Sequence, residues 1–123
     1  MRLGSHSETE VSVADGKTAR IRELNDAFRT SLAGGKVYVT DGVNGEGADF
    51  VGKALAAVRA FNVFTNDNDP HGEHDFGAFE VDGQKLFWKI DYYDKEDANF
   101  GAEDPSDPLA TERVLTIMLV EEY

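Results

Sequence analysis

The chain contains the segment Phe76-Gly-Ala-Phe-Glu-Val-Asp-Gly-Gln-Lys-Leu-Phe-Trp-Lys-Ile-Asp-Tyr-Tyr93, in which two alternating runs flank Asp82-Gly83. Asp-Gly is a preferred pair for the two-residue turn of a β-hairpin. This turn pairs Val81 with Gln84 and thereby sets the register of every later pair. The apolar residues that then share one face, and that we predict to face the core, are Phe79, Val81, Leu86, Trp88 and Ile90.

The same register also places compatible side chains opposite one another on the other face of the hairpin. Glu80 stands opposite Lys85, which is a favourable pair of opposite charges across two strands. Ala78 then meets Phe87, and Phe76 meets Lys89. Extended beyond Phe76, the register places His74 opposite Asp91, with Tyr93 beside them.

The residues before the hairpin predict two helices and one strand. From Thr18 onward, apolar residues recur at helical spacing, and Gly34-Gly35 ends the pattern. The charged residues of this helix are predicted to form a solvated face, namely Arg20, Arg22, Glu23, Asp26 and Arg29. A β-branched strand is predicted over 36–40, a plain loop with three glycines after it, and a second helix over 48–61.

The run Val114 to Val120 is apolar on both faces, so periodicity alone does not separate helix from strand over 113–121. Its β-branched content favours a central strand. The sequence therefore predicts an α+β fold, with two N-terminal helices packed on a small, mainly antiparallel sheet that contains the 76–93 hairpin and a C-terminal strand. Residues 1–16 are predicted to be a flexible leader, and 17–123 a single domain.

Composition and charge restrict the class of protein. The chain has 123 residues, 41% of them hydrophobic, no cysteine and a net charge of −12. Residues 1–60 hold eight acidic and eight basic residues, whereas residues 61–123 hold sixteen acidic and four basic ones. Such a net negative charge disfavours direct contact with nucleic acid.

Because no apolar run reaches ~20 residues and no secretory signal is visible, we expect a cytoplasmic protein that does not contact the membrane.

A group of candidate metal-binding residues lies in the loop 67–75, just before the hairpin. Carboxylate and imidazole groups are ligands of divalent metals. This loop also resembles half of a calcium-binding loop, with alanine where a bidentate glutamate is needed. The candidate metal ligands are Asp67, Asp69, His71, His74 and Asp75. No cofactor is otherwise indicated. The alternative is structural: aspartates that close turns on their own backbone, and His74 bonded to Asp91.

An enzymatic interpretation would use His74 as a general base oriented by Asp91, with Tyr93 as an acid. It lacks a nucleophile, because the chain has no cysteine and no serine in a recognisable nucleophile motif. We therefore expect no catalytic residues. The long acidic loop after the hairpin suggests a surface for a basic partner instead. Its candidate partner-binding residues are Asp94, Glu96, Asp97, Glu103 and Asp104.

Three segments resemble the signature of a bacterial family, the domain-of-unknown-function family three-seven-six-eight. They are Asn68-Asp-Pro-His-Gly-Glu-His-Asp-Phe-Gly-Ala-Phe-Glu80, Phe87-Trp-Lys-Ile-Asp-Tyr-Tyr-Asp94, and Arg113-Val-Leu-Thr-Ile-Met-Leu119 with Glu121-Glu-Tyr123. Thr18-Ala-Arg-Ile-Arg-Glu-Leu-Asn-Asp26 also resembles the opening helix of this family, so the resemblance covers roughly residues 17–123. The resemblance implies no activity, but it implies a setting on mobile elements. We therefore expect a small acidic binding protein that contacts the basic surface of a protein, in one version by imitating nucleic acid and inhibiting a host defence or DNA-processing protein. A metal-binding protein or metal-dependent hydrolase is the alternative.

Overall fold

The structure, a computed structural model, describes residues 4–123, with side chains described from residue 16 onward. Within this range the chain forms three α-helices, four strands and a short 3-10 turn. The fold is therefore α+β, as the sequence predicts. The elements are α1 Gly4–Ser31, β1 Lys36–Val39, α2 Asp41–Gly45, α3 Ala48–Ala60, β2 Phe76–Val81, β3 Gln84–Asp94, β4 Thr111–Leu119 and the 3-10 turn Val120–Glu122.

The four strands form one mixed sheet in the order β1-β4-β3-β2. β2 and β3 pair in the predicted register, with Glu80 opposite Lys85 and Val81 opposite Gln84. The turn residues Asp82 and Gly83 have φ angles of 51° and 82°, as a tight hairpin turn of this type requires. β4 lies between β3 and β1, antiparallel to the first and parallel to the second. The final apolar run is thus a central strand, as its composition predicts.

The hydrophobic core lies between one face of the sheet and the helices. Trp88, Leu86, Leu115 and Ile117 are fully buried on this face. Phe28 of α1 and the apolar side of α3 pack against them. The alternate residues of the strands lie on the opposite face, and several of them are exposed, among them Tyr38, Ala78 and Glu80.

The helices differ from the sequence prediction at two places. α1 begins at Gly4 rather than Thr18, because polar residues without apolar periodicity give no signal for a helix start. The flexibility of the leader 1–16 stays a prediction, and its first three residues lie outside the described ones. The predicted glycine loop is partly helical, because Thr40 is the N-cap of α2 and its side chain accepts a hydrogen bond from Val43 N.

Glu122 fastens the end of the sheet to the start of α2. Its Oε2 accepts a hydrogen bond from Gly42 N at 2.9 Å, and its Oε1 accepts one from the Thr40 hydroxyl at 2.6 Å and one from Leu119 N at 2.8 Å. These bonds, chiefly that from Thr40, lower the pKa of the Glu122 carboxyl. A carboxylate at this position also interacts favourably with the N-terminal end of a helix.

We predict that Glu122→Gln lowers the free energy of unfolding at pH 7 by about 1 kcal/mol, because the exposed carboxylate loses its charge but keeps its shape. Since the folded pKa is lowered, this stabilisation is complete above the ordinary glutamate pKa and disappears as the pH falls through the lowered value. Urea unfolding at several pH values measures the difference. Glu121→Gln is the matched control, and an equal effect of both substitutions would contradict the prediction.

Candidate functional site

One side of α1 carries polar side chains that bind the segment 61–75, which we call the histidine loop. The Arg22 guanidinium donates to the Gly72 carbonyl at 2.9 Å, and the Asn25 amide donates to the Glu73 carbonyl at 3.0 Å. One turn further along α1, Arg29 reaches the start of the same loop. These positions recur every three or four residues, so they share one helix face. The histidine loop is therefore held along α1 by hydrogen bonds.

Arg29 is the most deeply buried of these charged side chains, with 3% of its surface exposed. Its Nη1 donates to the carbonyls of Val58 and Phe61 at the C-terminal end of α3, at 2.9 and 2.8 Å. Its Nη2 donates to Asp26 Oδ1 at 3.1 Å, and the guanidinium lies over the Trp88 ring. The prediction of a solvated face is wrong for Arg29, because the histidine loop and α3 cover it.

His74 is held by two carboxylates that the hairpin register does not reveal. Its Nδ1 lies 2.9 Å from Asp26 Oδ1, and its Nε2 lies 3.7 Å from Asp69 Oδ2. The imidazole stacks on Phe64 with the ring centroids 3.6 Å apart and the planes 4° apart. Asp69 also accepts a hydrogen bond from the His74 backbone N–H. His74 therefore connects α1 with the rest of the histidine loop through these contacts.

The predicted bond between His74 and Asp91 is wrong. β2 begins only at Phe76, and the backbone before it leaves the extended conformation, with φ of 71° at Gly72 and 55° at His74. The strand register therefore does not extend to His74. Asp91 instead pairs with the Lys89 ammonium at 2.8 Å on the face of the sheet away from the helices.

This geometry gives no support to the catalytic interpretation. The His74 Nδ1 is bonded to Asp26 rather than to Asp91, and its ring is stacked on Phe64. Asp91 and Tyr93 alternate with the core-facing residues of β3 and lie on its other face. The structure does not bring the three residues of the predicted constellation together.

Of the five candidate metal ligands, Asp69 and His74 lie close together, but the five do not form a metal-binding group in the described residues. Asp67 and His71 are exposed, whereas Asp69 is buried and bonded to the backbone of His74. The Asp75 side chain is partly buried, and burial together with nearby Glu73 raises its pKa. In the described part of the chain, no three histidine, aspartate or glutamate residues are grouped as metal ligands usually are. Asp69 instead closes the loop on its own backbone.

A buried network of polar side chains connects α1 with the middle of the sheet. The Arg113 Nε donates to Asn25 Oδ1 at 2.7 Å, and the Asn25 Nδ2 donates to the Tyr92 hydroxyl at 2.8 Å. Tyr92 in turn donates to Glu73 at 2.7 Å, and Arg113 donates to the Pro105 carbonyl. Burial raises the pKa of Tyr92 and lowers that of Arg113.

Sequence reasoning missed this network. Asn25 is fully buried and Arg113 is 4% exposed. The available signal was the position of Asn25, which lies four residues after Ile21 on the predicted core face of the helix. A polar residue at such a position requires hydrogen-bonding partners from elsewhere in the fold.

The acidic loop, residues 94–110, is closed by its own carboxylates. Asp94 Oδ1 accepts hydrogen bonds from the backbone N–H groups of Glu96 and Asp97. Asp104 Oδ1 accepts from the hydroxyl and backbone N–H of Ser106, and these bonds lower the pKa of Asp104. Aspartates commonly close turns in this way.

Backbone hydrogen bonds fix the acidic loop to the sheet. Asp94 N donates to the Phe100 carbonyl at 2.8 Å, and Lys95 N donates to the Ala110 carbonyl at 3.0 Å. Of the five candidate partner-binding residues, Glu96, Asp97 and Glu103 are exposed, whereas Asp94 and Asp104 are partly buried. The exposed carboxylates thus project from a loop with a defined backbone.

A family model described as "Protein of unknown function (DUF3768)" matches residues 39–122. The chain belongs to this family. The matched range includes the histidine loop, the hairpin, the acidic loop and β4, while α1 lies before it. Comparisons with curated proteins and with solved structures give no significant match. None of the helices in the described residues combines the length and the apolar character needed to cross a bilayer.

Proposed function

We propose that this protein is a non-enzymatic binding protein whose acidic half contacts a basic surface of a partner protein. The observation that carries the proposal is the acidic loop, in which six acidic residues and one lysine lie within 94–110. Its backbone is tied to β3 and to the residues before β4 by hydrogen bonds. A fixed set of like charges attracts an oppositely charged surface and orients it before contact.

Two exposed apolar side chains in the same loop support a protein rather than a small ion as the partner. Phe100 is 64% exposed and Leu109 is 85% exposed. The backbone at both positions is held by hydrogen bonds. The Phe100 carbonyl accepts one from Asp94 N, and the carbonyl of Ala110, the residue after Leu109, accepts one from Lys95 N. Apolar side chains surrounded by charges are typical of protein interfaces, where the apolar groups supply affinity and the charges supply specificity.

A narrower form of the proposal is that the acidic half imitates the charge of nucleic acid. The partner is then a cytoplasmic nucleic-acid-handling protein, such as a DNA-processing or host-defence protein that this chain inhibits. The support is the charge distribution, together with the mobile-element setting that the sequence resemblance implies. This last step is an analogy between families and not a property of the fold.

We predict that Glu96→Gln and Glu103→Gln each weaken binding to the partner several-fold at low salt, with a smaller effect at high salt where exposed charges are screened over ~3 Å. Neither side chain holds the loop together in the described structure, so the free energy of unfolding stays unchanged. Proteins retained by the immobilised chain from a lysate of its own organism provide the partner, and a salt series measures its affinity. Glu46→Gln is the matched control, because it removes the same charge from residues 1–60, whose acidic and basic residues are equal in number.

If the acidic half imitates nucleic acid, this chain and nucleic acid must compete for the same site on the partner. Excess of this chain is expected to displace a nucleic-acid probe from the isolated partner, and Glu96→Gln with Glu103→Gln is expected to displace it less well. A partner that binds the chain and the nucleic acid together would contradict imitation but not acidic docking. Binding that does not depend on salt, or that Glu46→Gln weakens equally, would contradict both.

A further inference from the structure

The outer edge of β2 has backbone groups without partners in the described structure. The Ile90 N–H donates to the Asp75 carbonyl at 2.8 Å, which identifies this as a hydrogen-bonded pair of the antiparallel ladder. Such pairs alternate with pairs that do not bond to each other. In the observed register, the residues of β2 that do not bond to β3 are Phe76, Ala78 and Glu80. Their N–H and C=O groups therefore point away from the sheet.

β2 is an edge strand, and the described residues do not cover these groups. The sheet order places β2 at one end. No backbone or side-chain hydrogen bond in the described part of the chain reaches the main chain of Phe76, Ala78 or Glu80. Natural sheets usually protect such an edge with lysine, proline or a bulge. The sequence of β2, Phe-Gly-Ala-Phe-Glu-Val, has neither lysine nor proline.

A shallow depression lies beside this edge. It has a volume of about 390 Å³, and its lining combines the apolar residues Ala78, Phe87 and Val120 with the cross-strand pair Glu80 and Lys85. An added strand would place every second side chain on this face of the sheet. The depression therefore gives one such side chain an apolar surface to contact, between the opposite charges of Glu80 and Lys85.

We infer that the edge of β2 binds an extended, positively charged segment of a partner protein by strand addition. Strand addition draws its affinity from main-chain hydrogen bonds and its specificity from alternate side chains. The charge of −12 per chain favours a basic segment and opposes a second copy of this chain. This inference rests on the proposed function, since it names how a basic partner is held.

The test uses the full chain and a capped hexapeptide of alternating lysine and valine. In amide NMR spectra, the peptide is expected to shift the signals of Phe76, Ala78 and Glu80 in a saturable manner. A peptide with the same side chains but with its four central amides methylated is expected to bind about tenfold more weakly, because it lacks donors on both edges. A glutamate–valine peptide is expected to bind more weakly as well.

The protein variant for the same test is Ala78→Pro. Proline is tolerated on an edge strand where the lost N–H faces outward, so the domain is expected to fold. The variant is expected to bind the lysine–valine peptide about tenfold more weakly, whereas the control Ala78→Ser binds normally. If Ala78→Pro does not fold, the methylated peptide still decides the question.

Three results would overturn the inference: no saturable shift, equal binding of the methylated peptide, or shifts confined to residues 94–110. The last result would leave the proposed function intact, because it shows attraction to the acidic loop without strand addition. Equal binding of the glutamate–valine peptide would overturn the choice of a basic segment. Failure of the proposed function is recognised separately: no partner is found whose affinity falls with salt and is weakened by Glu96→Gln.

Discussion

Replacing Arg29 with methionine is expected to lower the free energy of unfolding by about 3 to 5 kcal/mol. Methionine fills part of the space but donates no hydrogen bonds, so the Phe61 carbonyl loses its donor and the Val58 carbonyl keeps only the bond from Phe61 N. The substitution also removes the ion pair with Asp26 and the contact with the Trp88 ring. Loss of one partner of a buried charged contact is among the most destabilising single changes. Denaturant unfolding followed by the fluorescence of Trp88 measures the effect.

The control for this prediction lies on the same helix. Arg20 is exposed, and its contact in the described structure is Glu23 at 3.4 Å. Arg20→Met is therefore expected to change the free energy of unfolding by less than about 0.5 kcal/mol. Arg29→Lys is expected to recover only part of the loss, because an ammonium lacks the planar fork of the guanidinium. Equal effects of Arg20→Met and Arg29→Met would show that the burial of Arg29 is not energetically important.

Replacing Asn25 with leucine is expected to cost about 3 kcal/mol or more. Leucine has the same number of side-chain heavy atoms and leaves no cavity, so the loss reflects the missing hydrogen bonds together with the extra volume of its methyl groups. Arg113 Nε loses its acceptor, and the Glu73 carbonyl and the Tyr92 hydroxyl lose a donor. Each buried polar group left without a partner costs about 1–3 kcal/mol. Chemical denaturation compares this variant with Asn62→Leu, which makes the same change at an exposed position.

A double-mutant cycle separates the network from the general effect of the substitution. Tyr92→Phe removes the hydroxyl that joins Asn25 and Glu73, and by itself is expected to cost about 1 kcal/mol. Because Asn25 and Tyr92 share a bond, the double variant is expected to be less destabilised than the sum of the single changes. Full additivity would indicate that the bond between them contributes nothing to stability.

The hairpin could be predicted from the sequence because its determinants are local. Asp82-Gly83 defines the turn, and the side-chain period of two then sets every pair up to Phe76. The same reasoning failed two residues further on, where His74 leaves the extended conformation. Its partner Asp26 is 48 residues away in the chain, and no local pattern connects the two.

The burial of Arg29 could not be predicted for a related reason. Charged residues on an amphipathic helix usually face water, and this rule placed Arg29 on a solvated face. Besides Asp26, its partners are main-chain carbonyls, which every residue has and which therefore leave no trace in the sequence. The acidic loop was recognised from its composition. That Asp94 and Asp104 close turns, while Glu96 and Glu103 do not, required the coordinates.

The parallel pairing of β1 with β4 has a consequence for the order of folding. The hairpin of β2 and β3 can form as soon as its own residues leave the ribosome, since the pairs between these two strands are local in sequence. In the described sheet β1 pairs with β4 alone, with Lys36 aligned to Val114, so it must wait for the last strand of this sheet along the chain. Contacts between distant parts of a chain slow folding because the intervening loop must be closed first. Until β4 arrives, β1 has no strand to pair with, and its unpaired backbone and apolar residues favour aggregation of the nascent chain during that interval.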